Sequence, residues 1–494
     1  MQKWFHAIGI SGKATANLAL MFKEMGWFVT GSDHQFLPPA SDIIEENEIP
    51  YVTEYNFRHL TKEFWEEKLS KDLDIADVPD LVMIVESLSS KNKEYFFAKN
   101  KGIDVRPYSQ IFRDYLAKDN SIVVTGSAGK TTTTAITTMI LSELGFNPSY
   151  MVGAEVNGLE KSLNNSDSNW SVIEGDEYHN KDLANGAKFL EYKPKYIVIT
   201  NLVHEHQDIF PSMEDYLNEF KKLAKLVPMD GLIVARDGDK NIDEVLEEAS
   251  CNIIRYTVAN SIKDVPHEVW SLIRDGNEFV IYDGYKGEVL RSRTDLLGEF
   301  VLEDMLASVT LICNLPAHSI PVEIVPKGTA YLTEIADALQ SFRGVKKRLE
   351  QLFVADNLVI IDDFGVAPNR AKNSIKVLRD KYPEHYIVGV FEPNSGSRIK
   401  EELEFKKAYE GVFSQIDELI IPDLSEFNSE LATAADFVVY LKDLGVYVNH
   451  EETKNLISKL DKVIKDNSKT VVIFFSAYRL DTVSKELAAK YQNS

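Results

Sequence analysis

Ile122-Val-Val-Thr-Gly-Ser-Ala-Gly-Lys-Thr-Thr-Thr-Thr134 decides the fold of this chain. An apolar, β-branched run ends in a glycine turn, and Lys130 and Thr131 open a helix. Backbone N–H groups in such a turn point inward at an anion, and the helix N-terminus adds positive potential. Gly126, Ser127, Ala128 and Gly129 would wrap a phosphate. Lys130 would reach its outer oxygens, and the Thr131 hydroxyl would hold Mg²⁺. The general pattern G-x-x-x-x-G-K-[ST] asks for glycine at position 124, where Val124 stands. The loop is therefore a shortened one, turned at Gly126.

Downstream, Trp170-Ser-Val-Ile-Glu174 reads as a strand with a carboxylate at its carboxyl end, followed by Gly-Asp-Glu-Tyr178. Read alone, such an acidic turn is a solvated one. A later strand, Tyr196–Thr200, runs into Asn201-Leu-Val-His-Glu-His206. Ligands gather at the carboxyl ends of parallel strands, so Glu174 and His206 are candidate Mg²⁺ ligands beside the loop. A single histidine there is more often a surface residue. Three strand ends converging on one point would suit phosphoryl transfer.

The strand-then-helix rhythm extends both ways. Upstream come Trp4–Ile8, the turn Gly9–Gly12, a helix over Ala14–Glu24, and strands at Trp27–Thr30 and Leu81–Val85. Downstream come a strand at Gly231–Ala235, a more antiparallel stretch from Asn252 to Arg291, and a helix at Tyr331–Ser341. A third series follows at Leu358–Ile361, Tyr386–Phe391, Glu418–Ile421 and Val471–Phe475. This order predicts α/β architecture in three consecutive domains, each a parallel sheet covered by helices. Their expected limits are 1–119, 120–340 and 341–494. The first and third are expected to be Rossmann-like, and the second is the phosphate-loop domain.

Composition narrows the function. Of 494 residues, 54 are Lys or Arg and 77 are Asp or Glu, a net charge of -23. A field of that sign repels phosphate backbones and anionic lipid, so neither nucleic acid nor membrane is an expected partner. No apolar run approaches the ~18 residues of a membrane helix. The N-terminus lacks the plan of a signal peptide, and two cysteines, Cys251 and Cys313, suit a reducing compartment. Cytoplasmic location is expected.

The order of these motifs resembles the Mur ligases: Gly-Ser-Ala-Gly-Lys-Thr-Thr-Thr, then Ile-Glu-Gly-Asp-Glu-Tyr, then Asn-Leu-x-x-x-His-x-Asp. Gly9, Ile10, Ser11, Gly12, Ser32, Asp33 and Ser87 fall in segments similar to those that bind the UDP-linked muramyl substrate. Gly344-Val-Lys-Lys-Arg348 and Ile361-Asp-Asp-Phe-Gly365 resemble the opening of the third domain. The resemblance implies ATP and Mg²⁺ as cofactors, with phosphorylation of the muramyl carboxylate and attack by an amine on the acyl phosphate. Lys130, with Thr132 beside it, would hold phosphates. Thr131 would take one Mg²⁺, and Glu174 and His206 a second. Arg348 and Asp363 would approach the nucleotide from the third domain as the domains close.

Within the family the pattern is similar to the branch that accepts UDP-N-acetylmuramic acid. Gly31-Ser-Asp-x-x-x-x-Pro-Pro39, Phe189-x-x-Tyr192 and Glu392-Pro-x-Ser395 resemble its peptide-recycling ligase more than its L-alanine ligase. An L-alanyl-γ-D-glutamyl-meso-diaminopimelate tripeptide is the favoured acceptor on that reading, and L-alanine the alternative. Several positions depart from the family pattern. Ala128, Val366 and Ala367 stand where histidines are usual, Val203 and Glu205 replace a Glu and an Asp, and Gly298-Glu-Phe-Val301 replaces Gly-x-His-Asn. Three other readings stay open. The turn Gly9–Gly12 with Asp33 could bind a dinucleotide, although Ala14 stands where the third glycine would fall. The chain could be a folylpolyglutamate-synthase-like ligase, or a UDP-sugar-binding protein without turnover. Ser87, Ser89 and Ser90 could equally cap a helix, and Lys346 and Lys347 could be a solvated charge run.

Overall fold

The computed structural model describes all residues except 37, 86, 87, 89, 90, 179–185, 207, 208, 317–329, 393–407, 424–433, 478, 493 and 494. The chain forms two compact units. One holds residues 1–295 and 299–343, and the other holds 296–298 and 344–494. Among the described residues the strands form three sheets, two in the first unit and one in the second.

The first sheet comprises β1 (Trp4–Ile8), β2 (Phe28–Ser32), β3 (Tyr51–Val52), β4 (Leu81–Ile84) and β5 (Asp104–Pro107). Its order is β3-β2-β1-β4-β5, parallel throughout. That is the doubly wound order expected of a Rossmann-like half, with its switch point between β1 and β4. The central strands β1 and β4 are buried at every position and need no polar alternation.

The second sheet opens with β6 (Asn120–Thr125), β7 (Ser149–Met151), β8 (Leu163–Asn164), β9 (Trp170–Glu174), β10 (Tyr196–Ile199) and β11 (Leu232–Arg236). It continues with β12 (Asn252–Ala259), β13 (Val269–Asp275), β14 (Glu278–Asp283) and β15 (Gly287–Arg293). The order is β15-β14-β13-β12-β11-β10-β6-β9-β7-β8. β6 lies between two parallel neighbours, β10 and β9, so three carboxyl strand ends sit side by side. The stretch read as antiparallel is only partly so. β12 pairs parallel with β11, and β13 parallel with β12. Antiparallel pairing begins at β13 and β14, where the two-residue turn Gly276-Asn277 leaves no room for a crossover.

One continuous hydrophobic cluster joins the two sheets of this unit. It runs from Phe5, Phe22 and Ile44 through Phe112 to Phe189, Tyr192, Tyr216 and Phe220. Phe189 and Tyr192, which suggested a particular branch of the family, are core residues. The Arg113–Glu191 pair at 2.9 Å lies on the same seam. The threonine-rich helix Lys130–Glu143 buries its hydroxyls against the helix Glu299–Cys313. Thr133 Oγ1 donates to Asp304 at 2.9 Å, and the Thr137 and Ser308 hydroxyls pair at 3.0 Å. The Thr133, Thr137 and Ser308 hydroxyls are tolerated there because each has a partner.

The second unit holds β16 (Glu350–Ala355), β17 (Leu358–Asp363), β18 (Tyr386–Phe391), β19 (Glu418–Pro422), β20 (Val448–Glu451) and β21 (Thr470–Phe475). Their order is β16-β17-β21-β18-β19-β20, with β16 the antiparallel edge. Apolar clusters cover both faces, one around Phe391, Tyr409 and Phe437 and the other around Leu456, Leu460 and Phe474. No described helix is long and apolar enough to cross a membrane.

Candidate active site

Gly126 and Gly129 carry the phosphate loop through positive φ, +132° and +86°. A Cβ at Gly126 would collide with Thr200 Oγ1 and lie 2.8 Å from the Asn201 carbonyl, and one at Gly129 would lie 2.5 Å from Asp304 Oδ1. Only glycine fits either place. β10 braces the loop from the side. Ala128 N–H donates to Asn201 Oδ1 at 2.9 Å, Ser127 N–H to the Asn201 carbonyl at 2.9 Å, and Thr200 Oγ1 to the Ala128 carbonyl at 2.5 Å. The Ser127 hydroxyl donates inward to the Val203 carbonyl at 2.7 Å. Its expected place in the loop stands, but its side chain is part of the brace.

Lys130 folds back over the loop, with Nζ 2.5 Å from the Gly126 carbonyl and 3.1 Å from Glu177 Oε2. Thr131 Oγ1 donates to Glu174 Oε1 at 2.8 Å, and the other oxygen of Glu174 accepts from Gly153 N–H at 2.6 Å. The next residue after β9 cannot carry a side chain. A Cβ at Gly175 would lie 2.7 Å from Val123 Cγ1, since its N–H donates to Val124 O at 2.7 Å. The chain thereby turns Glu177 inward, where it is fully buried.

Glu177 is the residue that sequence reasoning missed. His206 Nε2 lies 3.3 Å from Glu177 Oε1, and Glu177, Glu205 and His206 offer ligand atoms within 4.8 Å of one another. Burial raises the Glu177 carboxyl, but the His206 hydrogen bond and the Lys130 charge outweigh it and hold it below the usual carboxylate range. The Glu177 bond pushes the His206 imidazole up in turn. Asp176 is likewise below its ordinary value: burial opposes this, and the Lys188 ammonium at 2.8 Å prevails. His206 also sits at φ 54°, in the left-handed region rarely adopted by non-glycine residues.

Around the first sheet, Gly9 takes φ +86°, and a Cβ there would lie 2.7 Å from Val85 Cγ2. Asp33 ties this turn to β2. It accepts from Ser11 N–H at 3.0 Å, Ser11 Oγ at 2.5 Å, His34 N–H at 2.7 Å and Tyr55 OH at 3.1 Å. Gly9, Ile10, Ser11, Gly12 and Asp33 thus come together. Ser32 does not join them. Its Cα pairs with Ile8, its side chain is fully buried, and its hydroxyl donates at 2.5 Å to Glu94 in the interior. Glu94 also accepts from His59 at 2.7 Å and Asn56 N–H at 3.0 Å, an internal network drawn from distant parts of the chain. Ser87, Ser89 and Ser90 lie outside the described residues.

In the second unit Asp363 is buried at the end of β17 and accepts from the Ser374 hydroxyl. Arg348 lies 5.9 Å over the Phe364 ring. Val366, which stands where a family histidine is usual, is buried, and Pro368 opens the helix Pro368–Lys381.

Two family descriptions match the chain, and together they span more than half of it. "Mur ligase family, catalytic domain" matches residues 5–119, and "Mur ligase middle domain" matches residues 124–312. The UDP-N-acetylmuramate–L-alanyl-γ-D-glutamyl-meso-2,6-diaminoheptandioate ligase of Escherichia coli is 28% identical over 79% of each chain. The UDP-N-acetylmuramate–L-alanine ligase of Clostridium acetobutylicum is 26% identical over 86% of this chain and 83% of its own. The solved UDP-N-acetylmuramate–alanine ligase of Thermotoga maritima shares the fold over 100% of both chains, with a TM-score of 0.73 at 21% identity. A glycine loop opening on Lys130 and Thr131, carboxylates at the next strand end, and these matches converge: the chain belongs to the Mur ligase family of ATP-dependent, ADP-forming amide ligases.

Proposed function

We propose that this ligase joins the carboxylate of UDP-N-acetylmuramic acid to the amine of a peptide, with the L-alanyl-γ-D-glutamyl-meso-diaminopimelate tripeptide as the favoured acceptor. The observation that carries the reading is the meeting of Lys130, Thr131, Glu174, Glu177 and His206 at the ends of β6, β9 and β10. A carboxylate is a poor electrophile. The muramyl carboxylate oxygen attacks the γ-phosphorus of ATP and ADP leaves. The acceptor amine then attacks the acyl phosphate carbon, and inorganic phosphate leaves with the C–O electron pair and takes up the proton the amine gives up.

The residues present fit Mg-ATP. Positive φ at Gly126 and Gly129 shapes the turn, and Thr131 with Glu174, together with His206, supply the hard oxygen and imidazole donors. Bound Mg²⁺ supplies charge neutralisation on the transferring phosphoryl group. The Lys130 ammonium adds a fixed positive charge, and the helix N-terminus at Lys130 orients the phosphates, the Ser127 and Ala128 N–H groups being engaged by Asn201. Arg348 and Asp363 enter this reading through the family pattern of the second unit. The Gly9–Gly12 turn, fastened by Asp33, is assigned to the UDP-linked substrate. Cytoplasmic location fits the unpaired state of Cys251 and Cys313.

The acceptor rests on the relatives. The Escherichia coli relative carries the tripeptide in its name and the Clostridium relative carries L-alanine. The experiment that separates them is product mass after incubation with Mg-ATP, UDP-N-acetylmuramic acid and each acceptor alone. A tripeptide adduct supports the proposal, and an alanine adduct alone replaces it with the second reading.

A further inference from the structure

Glu177 is a buried carboxylate facing Lys130 and His206, and the scheme above gives it no step of its own. A buried carboxylate is stable only when paired, and this one is held rigidly from both sides along the chain. Before it, the Gly175 carbonyl accepts from Thr125 Oγ1 at 3.1 Å. On either side of it, Phe189 N–H donates to Asp176 O at 3.2 Å and Lys188 N–H to Tyr178 O at 3.1 Å. Its own oxygens face Lys130 Nζ at 3.3 and 3.1 Å and His206 Nε2 at 3.3 Å.

His206 is constrained from three directions. Its backbone sits at φ 54°, its carbonyl accepts from the N–H groups of Ile209 and Phe210 at 2.9 Å, and the Tyr178 ring stands edge-on at 5.0 Å. Backbone strain of this kind persists where surrounding contacts over-determine it. With Nε2 facing Glu177, the proton of the neutral imidazole belongs on Nε2, and Nδ1 keeps its lone pair. A carboxylate that fixes the outer nitrogen of a histidine in this way sets which nitrogen can meet a cation.

We propose that Glu177 is the positioning residue of this site. One buried carboxylate anchors Lys130 and His206 together, and presents His206 Nδ1 as the cation-binding nitrogen. The inference rests on reading the loop as a Mg-ATP site, and it assigns Glu177 a role that this reading leaves open.

The test uses the full chain with Glu177→Ala and Glu177→Gln. The His206 tautomer is read by ¹⁵N imidazole NMR at alkaline pH, its signal identified by its loss in His206→Gln. Mn²⁺ affinity is titrated with a non-hydrolysable ATP analogue present, and thermal unfolding reports folding. Wild type is expected to show the Nε2–H tautomer. Glu177→Ala should lose that preference and bind Mn²⁺ about 10–100-fold more weakly. Glu177→Gln, whose amide oxygen still accepts from Nε2–H, should keep the tautomer and recover most of the affinity. An Nδ1–H tautomer in wild type, or unchanged Mn²⁺ affinity in folded Glu177→Ala, overturns the proposal. So does lost affinity in Glu177→Gln with the tautomer intact, since Glu177 would then be a ligand itself. If wild type released no phosphate with any substrate, the ligase reading would fail while both of these measurements stayed readable.

Discussion

Thr131, the second residue of the helix that follows the phosphate loop, donates its hydroxyl to Glu174 at the end of the neighbouring strand, 2.8 Å away. The contact spans 43 residues of sequence and joins two groups that hard cations favour. It ties the first turn of that helix to the carboxyl end of β9.

Lys130→Ala removes the one ammonium group held against both the loop and Glu177. Turnover should fall about a thousandfold or more. The thermal midpoint should fall as well, because the buried Glu177 carboxylate loses a partner, while the protein stays folded. Substantial activity in folded protein would contradict the role given to this residue.

Gly126→Ala places a methyl group against Thr200 Oγ1 and the Asn201 carbonyl at a positive φ. We expect a loss of about 1–3 kcal/mol in stability and weaker nucleotide binding together. Denaturant unfolding and titration with an ATP analogue check this, and a neutral outcome in both would show that the loop relaxes freely.

Asp33→Ala removes an acceptor shared by Ser11, His34 and Tyr55, and so loosens the Gly9–Gly12 turn. The KM for the UDP-linked substrate should rise about tenfold, the equivalent of ~1.4 kcal/mol. The KM for ATP should stay near its wild-type value. Equal changes in both would point to general loosening of the unit.

Asp362, buried at the end of β17, has its carboxyl pushed up to about 6, chiefly by burial and against the Lys347 charge. A carboxyl raised on folding binds its proton more tightly in the folded chain. Its contribution is therefore favourable at low pH and is lost as pH rises from its ordinary value of 3.8 through about 6. Asp362→Asn should flatten the fall of unfolding temperature across that window. An unchanged slope would mean that Asp362 ionises normally.

Much of the candidate site was legible because its residues sit at strand ends, and strand ends are marked by the change from apolar run to glycine or polar turn. Lys130, Thr131, Glu174 and His206 follow such marks. Glu177 does not. Gly-Asp-Glu reads as a solvated turn, and only the closeness of Gly175 to Val123 and Val124 turns its third residue inward. Ser32 fails for a related reason. Its register beside Ile8 directs the hydroxyl to Glu94, 62 positions away, and nothing near Ser32 announces that partner. The parallel pairing of β12 and β13 was hidden because their local sequence resembles that of the antiparallel strands that follow.

Release of inorganic phosphate from Mg-ATP with UDP-N-acetylmuramic acid and the L-alanyl-γ-D-glutamyl-meso-diaminopimelate tripeptide, read alongside product mass, tests the central claim most directly. Stoichiometric phosphate and an amide-linked adduct are expected, both absent when either substrate is left out. Protein that binds ATP yet yields neither phosphate nor adduct, with the tripeptide, L-alanine or any other amino acid, would contradict it.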